Sequence, residues 1–498
     1  MTVNAHARPL SARLTPLLRG LLVLALLPTA CGDPAGEAPP GTRLTVRQGG
    51  AAGVGPSGVA GSEKQRGKGD GPMNIIMISL DTVRADHMSL YGYERNTTPS
   101  LEQLAAKSLV FDRAYTTFSW TLVAHMSMLT GLYPRQHGVT DQHSALPESV
   151  PTLASRLKRE GYHTMGFYDT RWLDARYGFQ RGFDVYRRHY GAGGAGEHMT
   201  QAMAGRPKQK PFFLFLHLMD AHNKELNLPG CTMYEPPAPF DEVFDPEARQ
   251  TLAGVDVEKA WSTSEDITPD QHEAIVALYD GAIRYLDTKL GEWIGAWWDA
   301  GLLKNTVIII TADHGEGLDQ RGSGYGGHGS VYEEGLRVPL IVYVPGNVRA
   351  GQRMDTPVSH VDLVPTILHG LAKSPDKRLP GRSLLGPLDD RLILAEQPGR
   401  AEVFWDDPVK LIRPAVGERG TRIFRLDVDP REERHYILDD EEPEFFDMRR
   451  EVRRREAKLT ETLFQPAEAN PDAGPLPADA EATLRALGYL GGRDEGGH

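Results

Sequence analysis

Three side chains with the chemistry of metal ligands stand at the ends of two apolar segments. Asp81 follows the run 74–80, and Asp313 and His314 come just after the run 305–311 and Ala312. Carboxylate oxygens together with an imidazole nitrogen suit magnesium or a transition metal. A single Asp at a strand end is more often a helix cap or a turn residue, so the prediction depends on the whole set. The sequence predicts one site for a divalent ion.

The hydroxyl group of Thr121 stands before a helical pattern at 122–129, which ends ahead of Gly131. One interpretation is structural, because Thr is a common N-cap residue. In the other interpretation, the N–H groups at the helix N-terminus attract an anionic group. A metal beside the hydroxyl would lower its pKa and make it a nucleophile. The second interpretation predicts a site for a phosphate or sulfate group.

Several histidines lie in the same segments and are candidates for contacts with such a substrate. His222 follows the apolar run 211–219, and His328 lies between glycines that permit close approach to a ligand. Any one of these histidines is equally compatible with a hydrogen-bonded structural role. The other members of the set are His125, His137, His217 and His314.

The order of the elements predicts how these residues come together. Apolar runs typical of buried strands lie at 74–80, 163–168, 211–219, 305–311 and 338–344. Helical patterns lie between them, the longest at 270–298. We therefore expect an α/β fold with a large mixed, mainly parallel sheet flanked by helices. Ligands bind such sheets beyond the carboxyl ends of the strands, where Asp81 and Asp313 are expected.

Composition divides the 498 residues into four predicted segments. Residues 1–31 are similar to an export signal that ends at a bacterial lipoprotein processing site, with Cys31 after small residues. Residues 32–72 are rich in Gly, Ala and Pro, which predicts a flexible tether. Residues 73–371 form the predicted catalytic domain. Residues 372–498, with short strand-like pieces and a charged helical pattern, are expected to form a smaller C-terminal α+β subdomain and a tail.

Charge and cysteine content narrow the partners and the compartment. The formal net charge of −12 argues against a nucleic-acid partner, which would require a basic patch. Lipidation of Cys31 would anchor an exported protein to a bacterial membrane, in the periplasm or at the cell surface. The alternative is a plain secretory signal with an incidental cysteine. If Cys31 is lipidated, Cys231 has no partner for a disulfide within the chain.

Ordered motifs across residues 73–371 resemble those of the sulfatase family within the alkaline phosphatase superfamily. They lie at 79–86, 128–134, 212–222, 311–316, 332–339 and 358–366. The resemblance implies the fold expected above. It also implies that Asp81, Asp313 and His314 bind one divalent ion, which is calcium, manganese, magnesium or zinc. Thr121 is then both the nucleophile and a further ligand.

The same resemblance implies roles for three more histidines. His222 matches the family's substrate-contacting histidine, and His328 matches a substrate-contacting lysine. His125 stands where sulfatases place an arginine that contacts the nucleophile.

The chain departs from the sulfatase pattern at the nucleophile itself. In sulfatases a Cys or Ser at the position of Thr121 is oxidised to formylglycine, and threonine cannot mature by that route. Thr82 stands in place of an Asp, and His314 in place of the common Asn. The set Asp, Thr, Asp and His is more similar to the phosphoglycerol and phosphoethanolamine transferases, which use an unmodified Thr.

These residues favour a metal-dependent hydrolase that cleaves sulfate or phosphate esters through a covalent intermediate on Thr121. Without formylglycine, water must release a stable ester, and this favours phosphorus over sulfur. The expected substrate is a sulfated or phosphorylated sugar, lipid or small molecule. Two alternatives stay open. One is a phosphotransferase that passes the phosphoryl group to another hydroxyl, and the other is a non-catalytic protein that binds an anionic ligand.

Overall fold

The computed structural model describes residues 72–222, 232–322, 324–325, 329–371, 373, 376–388, 391–397, 401–406, 408–414, 420–437, 450 and 454. Several sequence predictions concern residues outside these ranges. They are the predictions for the export signal, Cys31, most of the tether, Cys231, His328 and the tail beyond residue 437, of which only residues 450 and 454 are described.

Strands and helices alternate along the first part of the described chain. The strands are β1 (Asn74–Leu80), β2 (Leu109–Tyr115), β3 (His163–Tyr168), β4 (Val185–Arg188), β5 (Phe212–Leu218), β6 (Thr306–Ala312), β7 (Arg337–Tyr343), β8 (Arg353–Met354), β9 (Val358–Ser359), β10 (Ile393–Gln397), β11 (Ala401–Asp406), β12 (Val409–Pro414), β13 (Arg422–Arg425) and β14 (Tyr436–Ile437). The helices are α1 (Pro99–Ala105), α2 (Thr121–Thr130), α3 (Pro134–His137), α4 (Leu153–Arg159), α5 (Gly191–Gly205), α6 (Ala248–Thr251), α7 (Val257–Ser262), α8 (Pro269–Asp299), α9 (Glu333–Leu336) and α10 (Leu363–Gly370).

A large mixed sheet forms the centre, in the order β4-β3-β5-β1-β6-β7-β2-β8, with β9 also paired to β2. The five strands β4, β3, β5, β1 and β6 are parallel to one another. Strand β7 is antiparallel to both β6 and β2. The predicted fold class, a mainly parallel sheet flanked by helices, is confirmed.

The central strands are buried along their whole length because their residues are apolar on both faces. Every residue of β5 and β6 is buried, as expected for parallel strands covered on both sides. The long helix α8 begins where the sequence provides a capping box, with Thr268 and Gln271 exchanging side-chain bonds to backbone N–H groups. Pro269 occupies its first turn, where a missing N–H group costs nothing.

A second, antiparallel sheet contains β10 to β14 in sequential order. It packs against the catalytic part through two apolar clusters, one with Tyr133 and Val361 and the other with Tyr115 and Leu336. The backbone N–H of Glu396 in β10 donates to the carbonyl of Thr117, 2.9 Å away, in the segment that leads into α2. The C-terminal sheet therefore supports the segment that carries Thr121. None of the helices in the described residues is both long and apolar enough to span a bilayer.

Candidate active site

Asp81 and Asp313 are the first residues after two neighbouring parallel strands. Strands β1 and β6 pair so that Leu80 lies opposite Ala312, and the two carboxylates leave the sheet side by side at its carboxyl edge. Both side chains are fully buried. One ligand atom from each of Asp81, Asp313 and His314 lies within 4.8 Å of the others. The structure thus brings the three predicted metal ligands together.

Each carboxylate uses one oxygen in hydrogen bonds and leaves the other without a partner. Asp81 Oδ2 lies 3.0 Å from Nε2 of His217. Asp313 Oδ1 accepts the backbone N–H groups of Thr82 at 3.2 Å and of His314 at 2.9 Å. Asp81 Oδ1 and Asp313 Oδ2 are buried and accept no hydrogen bond from the described residues. Buried polar atoms are rarely left in this state, so these two oxygens fit a cation.

The ring of His314 is oriented by the backbone of the next residue. Its Nδ1 lies 2.8 Å from the carbonyl oxygen of Gly315, so Nδ1 carries the proton and donates it. This tautomer leaves the lone pair on Nε2, which lies 3.2 Å from Thr121 Oγ1 and 3.5 Å from Asp313 Oδ2. An imidazole whose Nδ1–H is held by a carbonyl group is oriented to present Nε2 to a metal ion.

The electrostatics of the two carboxylates also fit a bound cation. Burial, and then the charge of Asp313, raise the pKa of Asp81 well above its ordinary value. Burial opposes ionisation of Asp313 as well, but His314, His125 and His217 together lower its pKa. One carboxylate is therefore ionised and its neighbour resists ionisation, and a divalent ion would stabilise both charges.

Thr121 is the first residue inside α2 and is not its cap. Trp120 occupies the N-cap position, and no side chain caps the helix. The interpretation of Thr121 as a structural N-cap is therefore wrong. Its hydroxyl faces His314, and within the described part of the chain no side chain accepts from the N–H groups of the first turn. Gly131 ends the helix at φ 73°, a left-handed conformation that favours glycine.

His125 lies one turn further along α2 and contacts Thr121 through its backbone. Its Nδ1 lies 2.8 Å from the carbonyl oxygen of Thr121, and its Nε2 lies 2.9 Å from Ser79 Oγ. The first contact requires a proton on Nδ1, so Nε2 accepts from the Ser79 hydroxyl. Burial lowers the pKa of His125 to about 3, so the ring is neutral. The expected contact with the nucleophile position exists, but it reaches the carbonyl group and not the hydroxyl.

A second group, His125, His217 and Asp313, also has the ligand spacing of a metal site. Hydrogen bonding argues against it. His217 Nδ1 accepts the backbone N–H of Asp169 at 3.3 Å, so its proton is on Nε2, which faces Asp81. Both nitrogens of His125 and both of His217 are thus already used. The group around Asp81, Asp313 and His314 is the one that fits an ion.

Two tight contacts fix the loops that carry the carboxylates. Thr82 adopts φ 59°, which is strained for a β-branched residue, and this turn directs its N–H to Asp313. Tyr279 of α8 holds the turn, because its hydroxyl donates to the Thr82 carbonyl at 2.7 Å and accepts from the N–H of Arg84 at 2.9 Å. At Gly315, a Cβ atom would lie 1.8 Å from the carbonyl oxygen of Glu334, so only glycine fits there.

The remaining predicted residues are placed as follows. His222 is buried in the turn that follows β5, at the same edge of the sheet, and its ring centroid lies 6.3 Å from that of Trp261. His328 lies outside the described residues. Ser119 Oγ donates to the carbonyl of Ser330 at 2.6 Å, so this nearby hydroxyl is already engaged.

The sequence prediction did not assign roles to Ser79 or Tyr279, and it included His217 only in the general set of candidate histidines. The available signal was a polar residue inside an otherwise apolar run. Ser79 and His217 lie opposite each other in the register of β1 and β5, and both contact residues of the site.

A family model described as Sulfatase matches residues 73–372, so the chain belongs to the sulfatase family of hydrolases. An arylsulfatase of Clostridium perfringens (strain 13 / Type A) is 23% identical over 393 residues, which cover 64% of this chain and 79% of that protein. Arylsulfatase A of Homo sapiens is 26% identical over 356 residues, which cover 61% of this chain and 65% of that protein.

Solved structures share the fold at low sequence identity. The phosphonate monoester hydrolase of Agrobacterium radiobacter has a TM-score of 0.64 at 20% identity, covering 82% of this chain and 99% of that chain. A protein solved in complex with its substrate D-glucosamine-2-N,6-O-disulfate has a TM-score of 0.63 at 18% identity, covering 79% of this chain and 98% of that chain. The similar proteins thus include enzymes of sulfate esters and of phosphonate esters.

Proposed function

We propose that this chain is a metal-dependent ester hydrolase that uses the unmodified hydroxyl of Thr121 as its nucleophile. The observation that carries the proposal is the position of that hydroxyl. It lies 3.2 Å from His314 Nε2, beside two buried carboxylates that each have an oxygen to which no described residue donates a hydrogen bond. Family membership favours an enzyme over a non-catalytic protein that binds an anion.

In this proposal Asp81, Asp313, His314 and Thr121 hold one divalent ion. Carboxylate, imidazole and hydroxyl donors are compatible with calcium, manganese, magnesium or zinc. A bound divalent ion would offset the negative charge of the ester and lower the pKa of the Thr121 hydroxyl.

The proposed reaction proceeds by two displacements. Thr121 Oγ1 forms a bond to phosphorus or sulfur while the bond to the alcohol oxygen breaks, and the alcohol leaves with one proton. The N–H groups at the start of α2 face the anionic group, where the helix dipole favours negative charge. His222 and His328 are proposed to contact the departing oxygen. Water then cleaves the Thr121 ester, which releases the inorganic anion and restores the hydroxyl.

Phosphoryl chemistry is favoured over sulfate hydrolysis in this proposal. A formylglycine ester can decompose through its aldehyde, but an ester of threonine requires attack by water on phosphorus or sulfur. The similar structures include a phosphonate monoester hydrolase as well as a protein solved with a sulfated sugar. An anionic ester of a sugar, lipid or small molecule is the proposed substrate class. A transferase remains the second candidate, because the Asp, Thr, Asp and His set is similar to that of phosphoglycerol and phosphoethanolamine transferases.

A substitution series at α2 tests the nucleophile. Thr121→Ala should lower turnover of activated phosphate and sulfate esters by orders of magnitude, because the attacking atom is removed. Thr121→Ser should retain measurable turnover, provided that mass spectrometry finds the serine unoxidised.

The matched control is Thr130→Ala, because Thr130 is buried in the same helix and its hydroxyl has only backbone partners, none of which is a proposed site residue. It donates to the carbonyl of Met126 at 2.7 Å and accepts the N–H of Leu132 at 3.3 Å. Removing these bonds should cost about 1–2 kcal/mol of stability and leave turnover intact. Near-wild-type activity in folded Thr121→Ala would reject the proposal.

We also propose that the protein is exported and anchored through a lipid on Cys31. The proposal rests on the apolar run and the small residues before Cys31. Cys231 is the one other cysteine in the sequence. Intact-mass measurement of the native protein should find a mature chain that begins at a lipidated Cys31. A mature chain with unmodified Cys31 would reject the anchor.

A further inference from the structure

His217 is a fully buried histidine near the carboxyl end of β5, and the sequence assigns it no role beyond membership of the set of candidate histidines. It lies in β5, opposite Ser79 of β1. Its Nε2 lies 3.0 Å from Asp81 Oδ2, which is the oxygen of Asp81 that does not face the other proposed ligands. Asp81 Oδ1, by contrast, accepts no hydrogen bond within the part of the chain that the structure describes, and it lies 3.9 Å from His314 Nε2.

The tautomer of His217 follows from its second contact. The backbone N–H of Asp169, just after β3, donates to Nδ1 over 3.3 Å. A nitrogen that accepts a hydrogen bond has no proton in a neutral ring, so the proton is on Nε2 and is donated to Asp81. The ring is therefore fixed between two strands, with one nitrogen as acceptor and the other as donor.

The position of the ring is fixed from the other side as well. His189 Nε2 lies 2.9 Å from the backbone carbonyl of His217, which ties the end of β4 to β5. Asp169 Oδ2 in turn accepts the N–H of Gly191 at the start of α5, 2.6 Å away. These bonds link the carboxyl ends of β4, β3 and β5. His217 extends this series of contacts to Asp81, at the end of β1.

We propose that His217 is a positioning residue that binds Asp81 Oδ2 and thereby presents Asp81 Oδ1 to the divalent ion. This inference rests on the proposed function, since it requires an ion at Asp81. It gives His217 no contact with substrate and no place in a second metal site. A carboxylate held through one oxygen loses less conformational freedom on binding the ion, so the ion binds more tightly.

Two substitutions test the contributions of the two ring nitrogens separately. His217→Asn keeps an acceptor near the Nδ1 position but is too short to donate to Asp81. His217→Gln places an amide N–H near the Nε2 position and loses the acceptor for Asp169. If His217 acts through Asp81, the Asn variant should bind Mn²⁺ about 10- to 100-fold more weakly than wild type. The Gln variant should recover most of that loss. A merely structural role for Nδ1 predicts the opposite order.

The measurement is calorimetric titration of the metal-free full chain with Mn²⁺, which does not depend on turnover. His137→Asn is the matched control, because His137 is equally buried and has the same pattern of contacts. Its Nδ1 accepts the N–H of Val139 at 3.1 Å, but its Nε2 faces Ser127 Oγ at 3.1 Å and no proposed ligand. This control should bind Mn²⁺ like the wild type.

Asp81→Asn distinguishes failure of this inference from failure of the proposed site. If Asp81→Asn binds Mn²⁺ like the wild type, the proposed metal site is wrong and the role of His217 fails with it. If Asp81→Asn loses Mn²⁺ while His217→Asn retains wild-type affinity, only the role of His217 is rejected.

A second measurement needs no variant. In the full-length wild type, histidine ¹⁵N NMR should find His217 with its proton on Nε2, both metal-free and loaded with Mg²⁺. A proton on Nδ1, or loss of the Nε2 proton on loading, would overturn the proposal even if the substitutions prevent folding.

Discussion

Two buried clusters of carboxylates in this molecule differ in what neutralises them. At the junction with the C-terminal sheet, Lys410 Nζ lies 3.0 Å from Glu333 and 2.8 Å from Glu432. Arg321 also pairs with Glu334 at 2.8 Å. At the sheet edge, the ion pairs that the described residues provide to the carboxylates Asp81 and Asp313 come from histidines alone.

The two clusters differ in the source of the positive charge that balances their carboxylates. The junction carries its cations in the chain, so it is an internal structural network. At the sheet edge, burial lowers the pKa of His125 to about 3 and that of His217 to about 4, so these two rings add positive charge beside Asp313 only in the acid range and none near neutral pH. Ionised carboxylates without a counter-charge are costly in a protein interior. The comparison therefore favours the proposed divalent ion as the counter-charge of the edge cluster.

The largest expected effect comes from removing a carboxylate at the edge. Asp313→Asn should abolish stoichiometric metal binding and lower turnover by orders of magnitude. Stability of the metal-free protein should change little, because the amide oxygen of Asn can still accept the backbone N–H groups of Thr82 and His314. Elemental analysis and thermal denaturation in chelator check both parts. Wild-type metal content in this variant would contradict the assignment.

The next effect is expected from removing the internal cation at the junction. Lys410→Met leaves Glu333 and Glu432 without their shared partner and should cost about 3–5 kcal/mol of stability. Metal content should not change in the folded fraction. Loss of metal without loss of stability would mean that the two clusters are not the separate systems described above.

A smaller effect should follow pH at the same junction. Burial raises the pKa of Glu432 from 4.5 to about 7, against the opposing charge of Lys410. The folded state therefore binds this proton more tightly than the unfolded chain. Its contribution to stability is complete below about pH 4.5 and is lost as the pH rises to about 7.

The loss should be on the order of 1–3 kcal/mol. Denaturant titrations between pH 4.5 and 8 measure it, and Glu432→Gln should flatten the profile over this range. An unchanged profile in that variant would assign the pH dependence to another group.

The edge cluster was largely predictable, and the junction was not. Asp81 and Asp313 follow apolar runs long enough to be recognised as buried strands, and the rule for parallel sheets then places them together. Lys410, Glu333 and Glu432 are brought together by pairing within the C-terminal sheet and by its packing. No local pattern in the sequence signals that arrangement.

The misassigned details have local physical causes. Strand β2 was not predicted, because Asp112 and Arg113 interrupt its apolar pattern and a register shift lies there in its pairing with β7. Thr121 is the first residue of the helix, whereas the N-cap interpretation placed it one position earlier. Residue propensities cannot resolve a helix boundary to one position. The role of His217 depends on its tautomer, and the tautomer is set by the distant N–H of Asp169.

The most direct test of the account is to trap the covalent intermediate. The full-length protein, loaded with metal and supplied with an activated phosphate ester, is quenched in acid during turnover and digested for high-resolution mass spectrometry. The account predicts one phosphoryl group on Thr121, which is an unmodified threonine in the resting protein, and no such adduct in Thr121→Ala. A phosphoryl group on Ser119, or turnover by Thr121→Ala at the wild-type rate, would contradict it.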